Sequence, residues 1–380
     1  MLTVNQRSFH EAVRIAKKVT DKIPTGYQDQ RKVHLSNVES GVLLLRASNK
    51  DTFMTIGFDA NDKNCEDTIK PVCIKTDNLE KVLRCRVKDG MVTVSGQTEK
   101  TVNLKMTGGT RATLNITENQ DLVFENPSPD IEYTRKVSFD PKNNDTIKKL
   151  KFLQSAISRN EIRRNIECVR FEVNKGISTD GKRLNYVEFM GADVFEEISV
   201  PVDLYDLMLS IIQTHKHIVE FYTGKNKNEE WVRLECGGYV IEQKLENKID
   251  FPEYENVMPT KERRDSFVEI DPKELKSAIM RVYAVAEKTP NHVMKMTFHD
   301  GILKFSVSHW DLGEFETDVS MIQSSGRNFI IGIDTKYFTE AIFRIKNSKT
   351  IQITTRGDKD PVRIDMEEDG MVAVVMPVRI

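Results

Sequence analysis

Residues 2–19 read LTVNQRSFHEAVRIAKKV, and two later stretches repeat the same pattern. Residues 137–157 read VSFDPKNNDTIKKLKFLQSAI, and residues 268–288 read VEIDPKELKSAIMRVYAVAEK. Each stretch joins a short β-like run to a polar residue and then to apolar residues at helical spacing. An internal repeat of about one third of the chain therefore sets the architecture.

The polar residue of each stretch predicts where its helix begins. Asn5, Asp140 and Asp271 are 135 and 131 residues apart, and each occupies the position of an N-cap. Pro141 and Pro272 follow at the first helical position, which tolerates proline because its N–H has no partner within the helix.

A second helical pattern returns with nearly the same period. IKTDNLEKVL starts at Ile74, VPVDLYDLML at Val200 and IDTKYFTEAI at Ile333, so the spacings are 126 and 133 residues. Short β-branched runs bounded by turn residues fill the remainder. The sequence predicts an α+β fold of three tandem units, each with two helices packed on mainly antiparallel sheet. The predicted units are 1–130, 131–258 and 259–380.

Composition excludes several classes of protein. The chain has 380 residues, 39% hydrophobic and 30% charged, as in a soluble globular protein of several domains. Its 56 Lys and Arg against 58 Asp and Glu give a net charge of −2, which excludes a uniformly basic nucleic-acid binder. A basic face balanced by an acidic one stays possible.

Cysteine usage and hydropathy indicate a reduced, cytoplasmic location. The five cysteines include no Cys-x-x-Cys spacing, so neither a disulfide framework nor a zinc ribbon is expected. The N-terminus lacks the apolar core of a signal peptide, and no apolar run approaches 18 residues. We therefore expect a cytoplasmic protein with no membrane partner.

Motifs for catalysis or for binding a cofactor are scarce. Gly108-Gly109 lacks the lysine and spacing of a P-loop and is better explained as a hairpin turn. His215 and His217 have no accompanying Cys, Asp or Glu cluster, so a metal site is not expected. His309-Trp310-Asp311 lacks a nucleophile elbow. We predict a protein that is not an enzyme and has no cofactor, metal or catalytic residue.

The first helix of each third carries a basic face opposite its apolar face. For one helix, an ordinary solvated surface explains this pattern. Three equivalent basic faces in a net acidic chain favour a surface for a polyanion, with lysines that contact phosphates without reading bases. The predicted DNA-facing residues are Arg14, Lys17, Lys18, Lys22, Lys148, Lys151, Arg159, Lys273, Lys276, Arg281 and Lys288.

The chain ends in MVAVVMPVRI, which is unusually apolar for a terminus. A final strand explains Val372 to Val375. It explains Met376-Pro377-Val378 less well, and these residues are more typical of a tail laid over a surface.

Three motifs in order make the chain similar to the bacterial DNA polymerase III β subunits, the replicative sliding clamps. The resemblance covers the whole length. It is carried by TDGKRL from Thr179 to Leu184, by FPEYENVMP from Phe251 to Pro259 and by the terminal MPVRI. Lys182 stands where the family usually has His, and Asn256 stands where a basic residue is common.

The resemblance implies three tandem DNA-clamp units per chain and a homodimeric ring of six, with helices lining the hole. It also implies a hydrophobic pocket that receives short peptides from DNA polymerase, the clamp loader and repair proteins. A flexible methionine beside aliphatic walls suits a pocket that several peptides share. The residues carried over to the pocket are Ile166, Thr179, Gly181, Arg183, Leu184, Pro252, Val257, Tyr337, Val374, Val375, Met376, Pro377, Val378 and Arg379.

The function that the resemblance implies is that of a processivity clamp in DNA replication. The ring encircles duplex DNA of any sequence and keeps the polymerase at high effective concentration. Two alternatives remain at this point: an interaction scaffold of the same fold that does not encircle DNA, and a hydrolase, for which no catalytic constellation is present.

Opposite charges predict how two chains join. The stretch NLEKVLRCR of the first unit carries Lys81, Arg84 and Arg86. The stretch WDLGEFETD of the third unit is acidic and carries Asp311, Glu314, Glu316 and Asp318. Such complementarity favours head-to-tail pairing of the first and third units over contacts between like units.

Overall fold

The computed structural model describes residues 2–38, 41–59, 70–84, 87, 89–117, 131–189, 193–194, 196–226, 229–245, 249–258, 266–289, 292–345 and 347–380. They form two compact units. Unit 1 comprises Met1–Asp140 and Asp206–Lys248, and unit 2 comprises Pro141–Tyr205 and Ile249–Ile380. Cys65, Cys85, Arg86 and Pro259 lie outside the described residues, and the threefold division of the chain stays a prediction.

The described part of the chain contains six α-helices. Their bounds are α1 Gln6–Thr20, α2 Thr76–Leu83, α3 Asn144–Ser155, α4 Val202–Ile212, α5 Pro272–Ala286 and α6 Thr335–Phe343. Short 3-10 helices lie at Thr25–Gln30, Glu161–Ile166, Tyr254–Asn256 and Glu367–Asp369.

The described strands are short and numerous. The first fourteen are β1 Leu2–Asn5, β2 Lys32–Val38, β3 Val42–Ser48, β4 Thr52–Asp59, β5 Val72–Lys75, β6 Met91–Gln97, β7 Thr101–Met106, β8 Arg111–Asn115, β9 Tyr133–Phe139, β10 Cys168–Glu172, β11 Lys175–Thr179, β12 Arg183–Glu188, β13 Asp193–Val194 and β14 Ile198–Pro201. The others are β15 Val219–Asn226, β16 Glu229–Cys236, β17 Tyr239–Leu245, β18 Ser266–Ile270, β19 Val293–His299, β20 Ile302–His309, β21 Gly313–Val319, β22 Met321–Gly326, β23 Phe329–Asp334, β24 Ile351–Thr355, β25 Val362–Met366, β26 Met371–Val375 and β27 Pro377–Val378.

Two of the three predicted N-caps are confirmed, and the third is wrong. The Asn5 side chain accepts from the N–H of Ser8 at the start of α1, and the Asp271 side chain caps α5. Asp140 is not the N-cap of α3, because this helix begins only after Asn143, whose side chain accepts from the N–H of Asp145. Asn143 is an equally good cap, and the helix starts at the cap nearer to its apolar face.

Unit 1 is built on two antiparallel sheets. One has the order β1-β6-β7-β8, and the other runs β9-β15-β16-β17-β4-β3-β2-β5. The apolar face of α1 is buried, with Phe9, Val13 and Ala16 fully inaccessible to solvent. Phe9 meets Phe58 of β4 edge to face, with ring centroids 5.5 Å apart.

Unit 2 repeats the arrangement. Its nine-stranded sheet has the order β14-β10-β11-β12-β26-β25-β24-β18-β22, and its five-stranded sheet has the order β21-β20-β19-β23-β27. Leu150 and Leu153 of α3, like Leu275 and Ile279 of α5, are fully buried. The predicted α+β class, with helices on mainly antiparallel sheet, is confirmed.

Three hairpin turns share one local structure. They follow β3, β11 and β20, and each is held by a side chain that accepts hydrogen bonds from the backbone N–H groups two and three residues later. The accepting residue is Asn49, Asp180 or His309. Asn and Asp are common in this role, because their short side chains reach their own backbone.

β8 and β21 are two of the strands that end a sheet among the described residues. β8 is the last strand of the four-stranded sheet in unit 1, and β21 is the last strand of the five-stranded sheet in unit 2. An end strand presents unpaired N–H and C=O groups along its outer side.

No helix in the described part of the chain is long and apolar enough to cross a membrane.

Candidate functional site

A cavity of about 430 Å³ opens on unit 2 beside the junction of β12 with β26. Its volume is that of a site for a small ligand or a peptide side chain. The lining residues are Arg163, Asn165, Ile166, Thr179, Gly181, Arg183, Leu184, Pro252, Glu253, Tyr254, Val257, Val374 and Met376.

The β11–β12 turn forms one wall of the cavity. The Thr179 hydroxyl accepts from the N–H of Gly181 at 3.1 Å and donates to the carbonyl of Arg183 at 2.6 Å. Gly181 has a φ of +84°, which glycine adopts without strain. A Cβ at this position would lie 2.5 Å from the Arg163 guanidinium, which is the mobile end of an exposed side chain, so the turn requires glycine for its conformation rather than for space.

Arg183 holds this wall in place. Its Nε donates to Asp180 at 3.1 Å, and its other nitrogens bond Glu340 and the carbonyl of Ser155. The guanidinium carbon lies 4.4 Å from the ring centroid of Tyr337. Two carboxylates therefore balance the charge of Arg183, and its role in the wall is structural.

The floor of the cavity is apolar. Leu184 and Val374 face each other across the β12–β26 pair, and both belong to one buried cluster with Tyr254. The Tyr254 hydroxyl donates to Glu172 at 3.0 Å, and burial raises the pKa of this phenol. The 3-10 turn at Tyr254 is thereby fixed against the sheet, and it positions Val257 at the rim.

The C-terminal tail closes the last side. Met376 donates its N–H to the carbonyl of Lys182 at 2.9 Å, and its side chain is 38% exposed at the cavity mouth. β27 then pairs with β23, with Val378 opposite Gly332. A Cβ on residue 332 would lie 2.4 Å from the carbonyl oxygen of Val378, so only glycine permits this close approach.

Nine of the fourteen predicted pocket residues line this one cavity: Ile166, Thr179, Gly181, Arg183, Leu184, Pro252, Val257, Val374 and Met376. The other five do not. Tyr337 stacks on Arg183, Val375 is buried in β26, Pro377 and Val378 pair with β23, and Arg379 is exposed beyond them.

Four lining residues were not predicted. Glu253 and Tyr254 lie inside the FPEYENVMP motif and could have been read from it. Arg163 and Asn165 precede Ile166 in a 3-10 helix, and no sequence pattern marks them.

The predicted basic faces are only partly exposed. Arg14, Lys18, Lys22, Arg159, Lys273, Arg281 and Lys288 are exposed. Of these, Lys22, Arg159 and Lys288 lie beyond the ends of α1, α3 and α5. Lys17, on α1, is ion-paired with Asp77, and this hydrogen bond raises the pKa of Lys17.

Lys148 and Lys276, both among the predicted DNA-facing residues, have acceptors within the chain. The Lys148 side chain is 10% exposed, and its ammonium is ion-paired with the fully buried carboxylate of Asp369. Lys276 donates to the carbonyl of Ile345 at 2.7 Å, and burial lowers its pKa. The periodicity of a helix assigns a face to each lysine, but it does not show which acceptor a distant segment brings to that face.

Asp369 is the centre of this buried cluster. Besides Lys148, it accepts from the hydroxyl and the N–H of Ser348 at 2.9 and 3.2 Å, and from the N–H of Asn347. Burial alone would raise its pKa. The hydrogen bonds from Lys148 and Ser348 outweigh burial and hold the pKa of Asp369 below its ordinary value.

The weaker motifs have structural roles. Gly108 and Gly109 form the β7–β8 turn with φ of +86° and +83°, as predicted. His215 pairs with Glu11 at 3.1 Å and stacks on His217, and no metal-binding group of three His, Cys, Asp or Glu occurs among the described residues. His309 accepts two backbone hydrogen bonds in its turn.

The charged stretches predicted to join two chains are exposed where they are described. Asp311, Glu314, Glu316 and Asp318 lie on β21 or in the turn before it. Lys81 is exposed on α2, and Arg84 follows that helix and pairs with Glu80 at 3.4 Å.

Comparison with known proteins gives one family. Residues 255–379 match the family model for the DNA polymerase III β subunit, C-terminal domain. Two curated beta sliding clamps, from Pseudomonas aeruginosa and Treponema pallidum, are 22% and 25% identical over 235 and 209 residues. These alignments cover 59% and 52% of this chain, and 61% and 53% of the relatives, less than two thirds of their length.

Solved structures extend the similarity in fold to the whole chain. A DNA polymerase III β subunit from Pseudomonas aeruginosa, bound to griselimycin, superposes with a TM-score of 0.81 at 18% identity. One from Thermotoga maritima gives a TM-score of 0.82 at 16% identity. Each comparison covers 100% of this chain and 99% of the other.

Proposed function

We propose that this chain is a member of the DNA polymerase III β-subunit family and that it acts as a DNA sliding clamp. Two copies join head to tail in a ring that encircles duplex DNA in the cytoplasm and tethers the replicative polymerase. The protein breaks no bond. Its effect is topological, because a tethered polymerase rebinds at high effective concentration. The observation that carries the proposal is a sheet junction that occurs twice within the chain and lacks only a second copy to occur again.

The two internal junctions are built alike. In unit 1, β4 pairs antiparallel with β17, with Thr52 opposite Gln243. In unit 2, β12 pairs antiparallel with β26, with Arg183 opposite Val375. Thr52 and Arg183 are the first residues of their strands, directly after the turns capped by Asn49 and Asp180.

The same strand positions recur at the two end strands. Gln243 and Val375 each pair on the other side with a buried valine of the preceding strand. In β8 the equivalent residue is Leu114, whose partner is the buried Val102. Gly313 is the first residue of β21, after the turn capped by His309. The third junction therefore places Gly313 of one copy opposite Leu114 of a second copy.

This register matches size and charge along the new pair. Counting along antiparallel strands puts Phe315 opposite Ala112, so a large side chain meets a small one on the face nearer the helices. It also puts Glu316 opposite Arg111, a cross-strand pair of opposite charge. Two end strands with unpaired backbone groups thus complete each other, and head-to-tail pairing at both ends closes a ring of two chains.

DNA contact is assigned to the exposed cations on and directly after the first helices. Of the predicted DNA-facing residues, those exposed on α1 and α5 are Arg14, Lys18, Lys273 and Arg281. Such contacts neutralise phosphates without reading bases, so binding is independent of sequence. Lys148 is excluded from this set, because Asp369 already balances its charge.

The cavity of unit 2 is assigned to peptides of the polymerase and the clamp loader. A short peptide gains most of its affinity from a few buried apolar anchors. Leu184 and Val374 on the floor and Met376 at the mouth provide the apolar surface for such an anchor. Arg163 and Glu253 at the rim provide polar contacts that fix its orientation.

Retention on circular DNA tests the proposal. Phosphate contacts weaken steeply with salt, whereas a closed ring on a closed circle must open to leave. After loading, we expect the protein to stay on circles at a salt concentration that abolishes binding to linear duplex, and to leave when the circle is cut. Equal salt sensitivity on both forms would favour an interaction scaffold that does not encircle DNA.

A further inference from the structure

The β20–β21 turn presents an exposed tryptophan in a fixed conformation. Trp310 is 88% exposed, and its ring stacks on His309 with centroids 5.6 Å apart. His309 Nδ1 accepts from the N–H groups of Asp311 and Leu312, both at 3.2 Å, and so fixes the turn. Tryptophan is enriched at protein interfaces, because its indole offers a large apolar surface and a hydrogen-bond donor. Because the turn is already ordered, little further entropy is lost on docking.

A cavity of about 670 Å³ lies in unit 1 where β8 ends. Its lining includes His34, Cys73, Lys100 and the three residues Asn115, Ile116 and Thr117 that end or follow the strand. Two backbone hydrogen bonds fix this wall, from the N–H of Ile116 to Lys100 at 2.8 Å and from the N–H of Thr117 to Cys73 at 2.9 Å.

The internal junction of unit 2 shows which element meets such a wall. There the β11–β12 turn touches the residue that follows β26, because Met376 donates its N–H to the carbonyl of Lys182. The unit 2 cavity lies at the same point, between that turn and Met376. In the register of the third junction, the equivalent pair is Asn115 of one copy and Leu312 of the other.

We propose that Trp310 of one copy inserts into the unit 1 cavity of the second copy and anchors the junction between them. The inference rests on the proposed ring and assigns the residue that closes it. The cavity is large enough for an indole, and Asn115 and Glu99 offer acceptors for the indole N–H. Lys100 adds a cation beside an aromatic guest, and Asp311 brings a carboxylate toward that lysine.

Dimer dissociation measured by analytical ultracentrifugation tests the assignment. A central tryptophan at an interface typically costs 2 kcal/mol or more when truncated, so Trp310→Ala should weaken dimerisation by at least about thirtyfold. Asn115→Trp, which fills the cavity from its own chain, should weaken it similarly. Ile322→Ala is the matched control, since Ile322 is 59% exposed on β22, in the other sheet of unit 2. Melting temperatures measured at protein concentrations below the dimer dissociation constant show whether each variant folds.

Fluorescence gives a second readout on the native protein. The chain has two tryptophans, and Trp231 is only 3% exposed, so a change on dilution reports Trp310. We expect a blue shift as the dimer forms, and none in Trp310→Phe. A wild-type dimer without the shift, with Trp310→Ala dimerising normally, would overturn this inference and leave the ring intact. A wild-type chain that stays monomeric at all concentrations would overturn both.

Discussion

Replacing Asp369 by asparagine tests the buried cluster of unit 2. Asp369→Asn keeps the shape of the side chain but removes the charge that balances Lys148. Removing one partner of a buried ion pair costs about 3–5 kcal/mol, because the other charge stays uncompensated. The Lys148 side chain retains 10% exposure and thus some hydration, so we expect the free energy of unfolding to fall by about 2–4 kcal/mol.

A double-mutant cycle separates the pair from its surroundings. Lys148→Met leaves Asp369 with its donors at Ser348 and Asn347, so it should cost less than Asp369→Asn. The double variant should be more stable than the sum of the two losses predicts, with a coupling of about 1–3 kcal/mol in urea denaturation. The ion pair would be refuted as the basis of the cluster by either of two results. One is that the losses in free energy of unfolding of the two single variants simply add in the double variant. The other is that Asp369→Asn lowers the free energy of unfolding by less than about 0.5 kcal/mol.

Acid provides the same test in another form. The pKa of Asp369 is lowered in the folded state, so the unfolded chain binds its proton more readily. The stability from this group is fully present above the unfolded pKa of about 3.9, and it is lost as pH falls through the lower folded value. Asp369→Asn should therefore flatten the loss of stability below about pH 4. An unchanged acid profile would contradict the assignment.

Three further predictions concern the assembly and its ligands. Arg111→Glu should weaken the dimer by about tenfold or more, and Arg111→Glu with Glu316→Arg should restore part of it; full restoration is not expected, since Glu316 also pairs with Lys304. Sedimentation measures both, and an unaffected single variant would argue against the register. Removing Met376 to Ile380 should lower peptide affinity about a hundredfold while the protein remains a dimer in solution, and unaltered affinity would refute the pocket. Lys18→Ala should reduce the salt dependence of binding to linear duplex by about one phosphate contact, whereas Lys148→Met should not; equal effects would contradict the division of the basic residues.

The sequence predicted local features well where they depend on a few neighbouring residues, as the N-cap of a helix does. Asn5 and Asp271 cap their helices as expected, because an N-cap depends on two or three neighbouring residues. Asp140 failed for the same reason, since Asn143 competes for the task within one turn. The period of the repeat predicted the α+β class, because hydrophobic spacing reflects burial directly.

Partners distant in sequence could not be predicted in this way. Lys148 and Asp369 are 221 residues apart, and nothing in the pattern around Lys148 distinguishes it from a solvated lysine. Most of the predicted pocket residues came from the three motifs or from their immediate neighbours, and Val375 shows the limit of this approach. Val374 and Val375 both directly precede the terminal MPVRI, yet alternate residues of a strand point to opposite faces, and only Val374 lines the cavity.

The pairing of β4 with β17 has a consequence for synthesis. β4 ends at Asp59, and its outer neighbour begins only at Tyr239. At 5–20 residues per second, the ribosome leaves that edge open for roughly 10 to 40 s. In the same way, the outer edge of β12 stays unpaired until β26 has been synthesised. The nascent chain therefore carries an unsatisfied strand edge at nearly every stage of translation, and this edge is where premature association with other chains would begin.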